Sequence, residues 1–298
     1  MLVTGAAGFL GRHVVAGLRR AQRRVRGLVR PGTAQRLVAR EAGDEVVAVD
    51  LLAPAAALGP ALRGVTAVVH VAGLRAERPW RGETFQAVHV EATARLVAAA
   101  REAGVQRFVL VSCLGAAADA DLDYLRSKAA AEAIVQDSGL AWTILRCGLT
   151  YGPGDGRVTR LARWMAWLGR APVVGDGRFL VQPIAVGDVV AGCVRAATTS
   201  ELAGRVLAAA GPDTLSFGDM VDLLAAALDR RMPRLPIPVG LARGLAALRR
   251  VCGIVPWTVD ELQVMLRGYT CDPWEYFRAA GIRRPLPFSA AVRTFLGA

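Results

Sequence analysis

Leu2-Val3-Thr4-Gly5-Ala6-Ala7-Gly8-Phe9-Leu10-Gly11-Arg12 is the stretch on which the fold turns. The short apolar run predicts a strand over Leu2–Thr4, and apolar residues at helical spacing predict a helix over 10–20. Between the two stand Gly5, Gly8 and Gly11. Glycines at such a junction permit a tight turn, let backbone approach a pyrophosphate closely, and let the helix pack on the strand. The helix start adds unpaired N–H groups and the positive end of its dipole. Gly5, Ala7, Gly8, Phe9, Leu10, Gly11 and Arg12 are therefore expected to seat the phosphates of a dinucleotide.

Downstream, further strands are expected at 25–29, 46–49, 67–71, 108–111 and 142–145. Helical patterns lie between them at 34–41, 55–62, 83–102 and 124–136. Valine-rich runs without polar alternation suit a sheet covered on both faces. Alternating strands and helices predict a parallel, doubly wound α/β Rossmann sheet with right-handed crossovers. The pattern changes after Gly152-Pro153-Gly154-Asp155-Gly156, a turn-forming run. A strand at 179–184 and a helix at 187–197 are expected to return to the sheet, and the chain from Leu207 reads as mostly helix. The division expected is a nucleotide-binding domain of 1–155 and 179–198, with a smaller, mainly helical lobe of 156–178 and 199–298.

Composition narrows the function. Of 298 residues, 53% are hydrophobic, enough for a sizeable core. The net charge is +12, but the arginines are scattered and not interleaved with aromatics, so no nucleic-acid partner is expected. Cys113, Cys147, Cys193, Cys252 and Cys271 form no C-x-x-C, which suits reduced thiols in a cytoplasmic setting. His13, His70 and His89 lack metal-ligand spacing, so no metal is expected. The chain enters its first strand at once, and no leader or membrane span is expected. The apolar stretch 237–257 carries Arg243, Arg249 and Arg250 and reads as a core-facing helix with exposed arginines; a membrane-peripheral or partner-facing position is the alternative.

Tyr124-Leu125-Arg126-Ser127-Lys128 is a Y-x-x-x-K, which on a helix puts phenol and ammonium on one face. Of 37 basic residues Lys128 is the one lysine, so this position calls for a compact ammonium that arginine cannot replace. A free ribose 2′-hydroxyl is usually held by an acid about 20 residues into the motif. Here Arg30 stands at that place, and no acid follows until Glu41. Arg30, with Arg12, favours a 2′-phosphate, so NADP(H) is expected over NAD(H).

The glycine spacing G-x-x-G-x-x-G resembles that of the extended and atypical short-chain dehydrogenase/reductase family. Asp50-Leu51, Val71-Ala72-Gly73, Arg107-Phe108-Val109-Leu110-Val111-Ser112 and Gln182-Pro183-Ile184-Ala185-Val186-Gly187-Asp188 resemble later segments of it. So does Leu145-Arg146-Cys147-Gly148-Leu149-Thr150-Tyr151-Gly152-Pro153-Gly154, with Cys147 where proline is usual. The resemblance implies that Asp50, Leu51, Val71, Ala72, Gly73, Ser112, Tyr124, Lys128, Cys147 and Leu149 join the cofactor site. It implies Tyr124 as acid/base, Lys128 as its electrostatic support and ribose ligand, and Ser112 beside them. It also implies a hydroxyl just past the fifth strand, where this chain has Leu114. The C-terminal layout, with the capping box of Thr258 and Glu261, resembles the branch that includes a respiratory complex I accessory subunit. Two roles follow. One is an oxidoreductase, epimerase or dehydratase acting on a small carbonyl, sugar or isoprenoid-like molecule. The other is a structural or sensing subunit that holds NADPH with little chemistry, next to a respiratory or membrane-peripheral partner.

Overall fold

The computed structural model describes residues 1–33, 45–252 and 255–296; the helix expected at 34–41 lies outside them. The first half runs β1 (Leu2–Thr4), α1 (Phe9–Arg20), β2 (Arg26–Val29), β3 (Glu45–Ala48), α2 (Gly59–Leu62), β4 (Ala67–His70), α3 (Ala92–Glu102), β5 (Arg107–Cys113), α4 (Asp123–Gln136) and β6 (Ala141–Cys147). It continues with β7 (Leu149–Tyr151), α5 (Val158–Leu168), β8 (Ala171–Val174), β9 (Leu180–Val181), β10 (Pro183–Ala185), α6 (Val186–Thr198), β11 (Arg205–Ala209), β12 (Leu215–Ser216) and α7 (Phe217–Ala227). β13 (Arg234–Ile237), α8 (Val239–Cys252), α9 (Val259–Leu266), α10 (Trp274–Ala280) and α11 (Phe288–Leu296) complete it.

Seven strands form one parallel sheet in the order β11-β6-β5-β4-β1-β2-β3. After β1 the chain builds outward to β2 and β3, then crosses back to β4, β5 and β6 on the other side. The β1/β4 boundary is thus the point where strand order reverses, and ligands of such sheets bind outside the strand carboxyl ends there. The glycine turn leaves β1 at that end. One face is covered by Val14 and Leu18 of α1, Val189, Val190 and Cys193 of α6, and Tyr276 and Phe277 of α10. The other is covered by Leu62 of α2, Leu96 and Ala100 of α3, and Ala131 and Val135 of α4. A second core joins Tyr151, Met165, Phe217, Leu224, Trp257, Leu262 and Phe288 in the C-terminal half.

Three expectations need correction. The segment 179–184 does not return to the main sheet: β9 pairs antiparallel with β12, and β10 pairs with β7. Gln182 interrupts the run, and its amide is drawn to Gly211 and Cys271. The helix that follows, α6, does pack on the sheet, lying so close to α1 that a Cβ on Gly17 would meet Val190 at 2.3 Å. The chain around Leu207 is a strand: β11 joins the sheet edge with Leu207 opposite Leu145. Its alternate burial is that of an edge strand with one face wet, and without it β6 would present open N–H and C=O groups. Finally, residues 86–91 wind as a π-helix before α3 begins.

α10 ties the chain's last third to this sheet. Tyr276 Oη donates to the carbonyl of Asp188 at 2.7 Å, and Phe277 is 1% exposed. Truncating Phe277 to alanine should cost about 3–5 kcal/mol. A denaturant midpoint unchanged from wild type would show that α10 is not part of the cooperative core.

Two buried histidines fix the floor behind the glycine turn. Thr93 Oγ1 donates to the His89 carbonyl at 2.5 Å, so it accepts from His70 Nε2 at 3.1 Å. Thr4 Oγ1 accepts from the amides of Val71 and Ala72 at 3.2 Å and therefore donates to His70 Nδ1 at 2.7 Å. His89 Nε2 accepts from the Leu74 amide at 2.9 Å. Its Nδ1 donates to Ser127 Oγ at 2.9 Å, because that hydroxyl donates to the Tyr124 carbonyl. Both rings are thus held neutral, each with one donor and one acceptor nitrogen. Burial, aided by the Lys128 charge, pushes His70 down to about 3 and His89 to about 2. The unfolded chain binds protons at these rings near pH 6.5 and the folded chain does not. Stability is therefore full above pH 6.5 and falls as pH drops toward 3, by about 1.4 kcal/mol per pH unit for each ring. Urea midpoints across this range should show a shallower acid slope in His70→Asn than in wild type; equal slopes would contradict it.

Candidate cofactor and active site

The glycine turn is shaped by contacts that leave no room for side chains. Gly5 has φ +63°, and a Cβ there would lie 2.9 Å from Ala72 Cα. A Cβ on Gly11 would lie 2.1 Å from the Gly5 carbonyl oxygen. The Gly8 amide closes the turn on the Gly5 carbonyl at 2.8 Å. Gly8 caps α1 without a side-chain bond, and no acid stands in the first turn. The N-terminus of this helix thus faces the cleft with its positive end uncompensated, as an anion site requires.

The cleft has a volume of about 770 Å³ and runs along the strand carboxyl ends. Gly5, Ala7, Gly8, Phe9, Leu10, Gly11 and Arg12 line it beside Val71, Ala72 and Gly73. Asp50, Leu51 and Arg30 line one end, and Ser112, Tyr124, Lys128, Cys147 and Leu149 the other. The structure therefore brings every residue expected for the site into one space. At the first end, Asp50 Oδ1 accepts from the Leu52 amide at 2.9 Å. Arg30 is not alone: its Nη1 meets Glu83 Oε1 at 2.5 Å, and Arg78 Nε meets the other oxygen at 2.6 Å. Arg12 reaches the Gly154 carbonyl at 3.4 Å, and His13 bonds the Pro153 carbonyl at 3.0 Å.

At the other end, Tyr124 and Lys128 share one face of α4. The Tyr124 ring packs edge-on against the stacked pair of Phe85 and His89, with centroids 5.4 and 5.6 Å away. Burial, then Cys113, push its phenol well above its ordinary value, while Arg157 pulls it down. Lys128 is buried and donates to the Val111 carbonyl at 2.8 Å; burial lowers its pKa. The Cys113 thiol is itself held protonated, pushed up to about 11 by burial. Ser112 Oγ is buried against the cleft and has no partner among the described residues. Such an orphan fits a site that expects a polar ligand. The amide-lined turn, this hydroxyl and the lysine together match what a nicotinamide dinucleotide requires. Leu114 is 8% exposed and adds an apolar wall where a hydroxyl was expected.

Sequence reasoning missed several residues here. Glu83 arrives from the loop after β4 and had no local signal. In the sequence His89 shows only a lack of metal-ligand spacing, yet it packs on the Tyr124 ring. Arg75, Arg157 and Glu261 form a cluster at the cleft wall, with Glu261 Oε1 3.2 Å from Arg75 and 3.9 Å from Arg157. The capping box of Thr258 and Glu261 is present, and Thr258 Oγ1 also donates to the Arg75 carbonyl at 3.1 Å. The box was legible as a helix start but not as part of a cleft. Among the described residues no cluster of three metal-ligating side chains occurs, and no helix is long and apolar enough to cross a membrane.

Comparison with known proteins agrees with this geometry. Residues 1–208 match the NAD dependent epimerase/dehydratase family. The ceramide reductase of Caulobacter vibrioides is 38% identical over 172 residues, 58% of this chain, which spans about half (52%) of that reductase. The NAD(P)H azoreductase of Xenophilus azovorans is 31% identical, with 77% of this chain and 74% of that protein aligned. The mouse (Mus musculus) NADH dehydrogenase (ubiquinone) 1 alpha subcomplex subunit 9 is 28% identical, with 87% and 69% aligned. Among solved structures, MoeE5 in complex with UDP-glucuronic acid and NAD superimposes with a TM-score of 0.75, 26% identity and coverage of 99% and 97% of the two chains. A turn that only glycine can occupy, at the switch point of a parallel sheet, thus coincides with a sequence match over most of the chain: it belongs to the NAD dependent epimerase/dehydratase family, on a Rossmann fold.

Proposed function

We propose that the chain is an NADP(H)-preferring oxidoreductase that reduces a carbonyl compound, with Tyr124 as the acid. The observation that carries this reading is the Tyr124–Lys128 pair opening into the same cleft as the glycine turn. The reductase relatives support a redox reaction. The bound nicotinamide would supply hydride to the carbonyl carbon. The turn 5–11 and the start of α1 would hold the phosphates, and Lys128 the ribose next to the reacting ring.

The chain's own part is proton delivery and placement. A phenol held protonated by burial is suited to giving a proton to the oxygen that gains charge on reduction. Phe85 and His89 fix the plane of its ring. Arg157, whose charge favours the phenolate, eases release of that proton. Leu114 leaves the substrate oxygen one hydrogen bond short of the family pattern, which can cost on the order of 10²–10³ in rate. A second reading, a cofactor-holding subunit with little chemistry, draws on that same leucine and on the complex I relative.

Two tests separate these readings. In a screen of ketones and aldehydes, followed by NADPH absorbance, Tyr124→Phe should lower turnover by about 10²–10⁴ and leave NADPH affinity intact. Turnover equal to wild type would remove Tyr124 from the reaction; no oxidation of NADPH by wild type across the screen would favour the second reading.

The 2′-phosphate reading rests on Arg30 and is tempered by Glu83, which already engages its guanidinium. Arg30→Ala should weaken NADPH by about 10–100-fold and leave NADH unchanged, as expected for a charge-assisted bond. Glu83→Gln should strengthen NADPH alone. Equal losses for both cofactors in Arg30→Ala would show that Arg30 does not read the phosphate.

A further inference from the structure

We propose that the reacting end of the cleft takes an uncharged, largely apolar carbonyl compound, such as a long-chain ketone or aldehyde, and not a sugar nucleotide. This inference rests on the redox reading above and names its substrate class.

Leu114, Leu149, Leu180, Val264, Met265 and Tyr269 line the same cleft as Tyr124. Leu180, one of these lining residues, is a large apolar side chain left 43% exposed. The roof is held close to the floor. Gly115 has φ +81°, and a Cβ there would lie 2.7–2.8 Å from three atoms of the Tyr269 ring, so that ring rests on the loop after β5. Arg267 pairs with Asp121 on the same loop and pins the roof on its outer side. Gly268 lies against the Leu180 backbone, where a Cβ would come within 3.3 Å of its nitrogen.

Most side chains that might read sugar hydroxyls are committed to protein partners, with Arg75, Arg157 and Asp260 remaining as charged groups along the cleft. Gln182 donates to the carbonyls of Gly211 at 2.9 Å and Cys271 at 3.1 Å, and its oxygen accepts from the Cys271 amide at 2.9 Å. Thr150 Oγ1 donates to the Gly148 carbonyl at 3.3 Å. Glu261 accepts from the Thr258 amide at 2.9 Å and faces both Arg75 and Arg157. A ring of hydroxyls brought among leucines, a methionine and a tyrosine ring would lose water without finding partners, and such burial is unfavourable. An alkyl chain loses nothing there and gains in proportion to its buried area. Leu114 fits the same scheme: a side chain that cannot orient an oxygen can still pack on methylenes.

The test uses the full chain in three steps. NADPH binding is measured first by fluorescence. Straight-chain methyl ketones from butanone to dodecanone, and UDP-glucose, are then titrated onto the NADPH complex, and turnover is read in parallel. Affinity should climb about four-fold for each added methylene until the cleft is full. UDP-glucose should bind more weakly than the longest ketones. Leu180→Asp should flatten the chain-length series and leave NADPH affinity unchanged. A flat series in wild type, or UDP-glucose binding more tightly than the longest ketone, overturns the proposal. A rising series without turnover supports the apolar site and overturns the redox reading, whereas absent NADPH binding overturns both.

Discussion

The structure depends on one steric constraint: backbone lies against backbone at the end of β1. Gly5 approaches Ala72, and Gly11 approaches Gly5, at distances that no Cβ could occupy. That contact seats α1 with its first amides facing the crevice where the sheet reverses its order. The contact is inexpensive because Thr4 and His70 tie β1 to β4 beneath it through buried hydrogen bonds. Phosphate binding is then a property of the fold's geometry, not of a charged side chain.

The same buried network reaches the reacting end. His70 leads through Thr93 to the turn of His89, and His89 leads through Ser127 to the backbone of Tyr124. Each ring nitrogen has one partner and one role, so the network has a single arrangement of protons. Neutral groups of this kind fix positions without bringing charge near Lys128. The phenol that would deliver a proton is thereby held in place by the floor that supports the phosphate turn.

Much of this was legible in the sequence because the signals were local. The glycine turn, the i and i+4 placement of Tyr124 and Lys128, and the short valine-rich strands each lie within a few residues. The single lysine among so many arginines marked a position where shape and charge both matter. What was not legible came from distant contacts. β11 lies between the turn signals of Gly204 and Gly211-Pro212, but its five residues show no strong alternation, and it is the open edge of β6 that makes them a strand. Glu83 meets Arg30 across 53 residues, so a spacing rule for the ribose pocket could not find it. Gln182 looked like part of a strand, but its amide is consumed by Gly211 and Cys271, which removes a polar reader from the substrate end. Tyr269 and Glu261 enter the cleft only because the last third of the chain folds back over α4 and β9.

The apolar substrate end proposed for this chain and its phosphate turn would divide the cleft into a substrate part and a cofactor part. That separation is expected where a rigid sheet holds the cofactor end and a variable lobe forms the far wall. The central claim, that a turn built of glycine backbone holds a diphosphate, is tested most directly by calorimetric titration of the folded chain with ADP-ribose. This ligand carries the diphosphate and lacks the nicotinamide. Saturable binding of one molecule per chain, lost in a folded Gly11→Ala variant, is the expected result. Binding that survives that substitution, or a folded wild type that takes up no ADP-ribose, would contradict it.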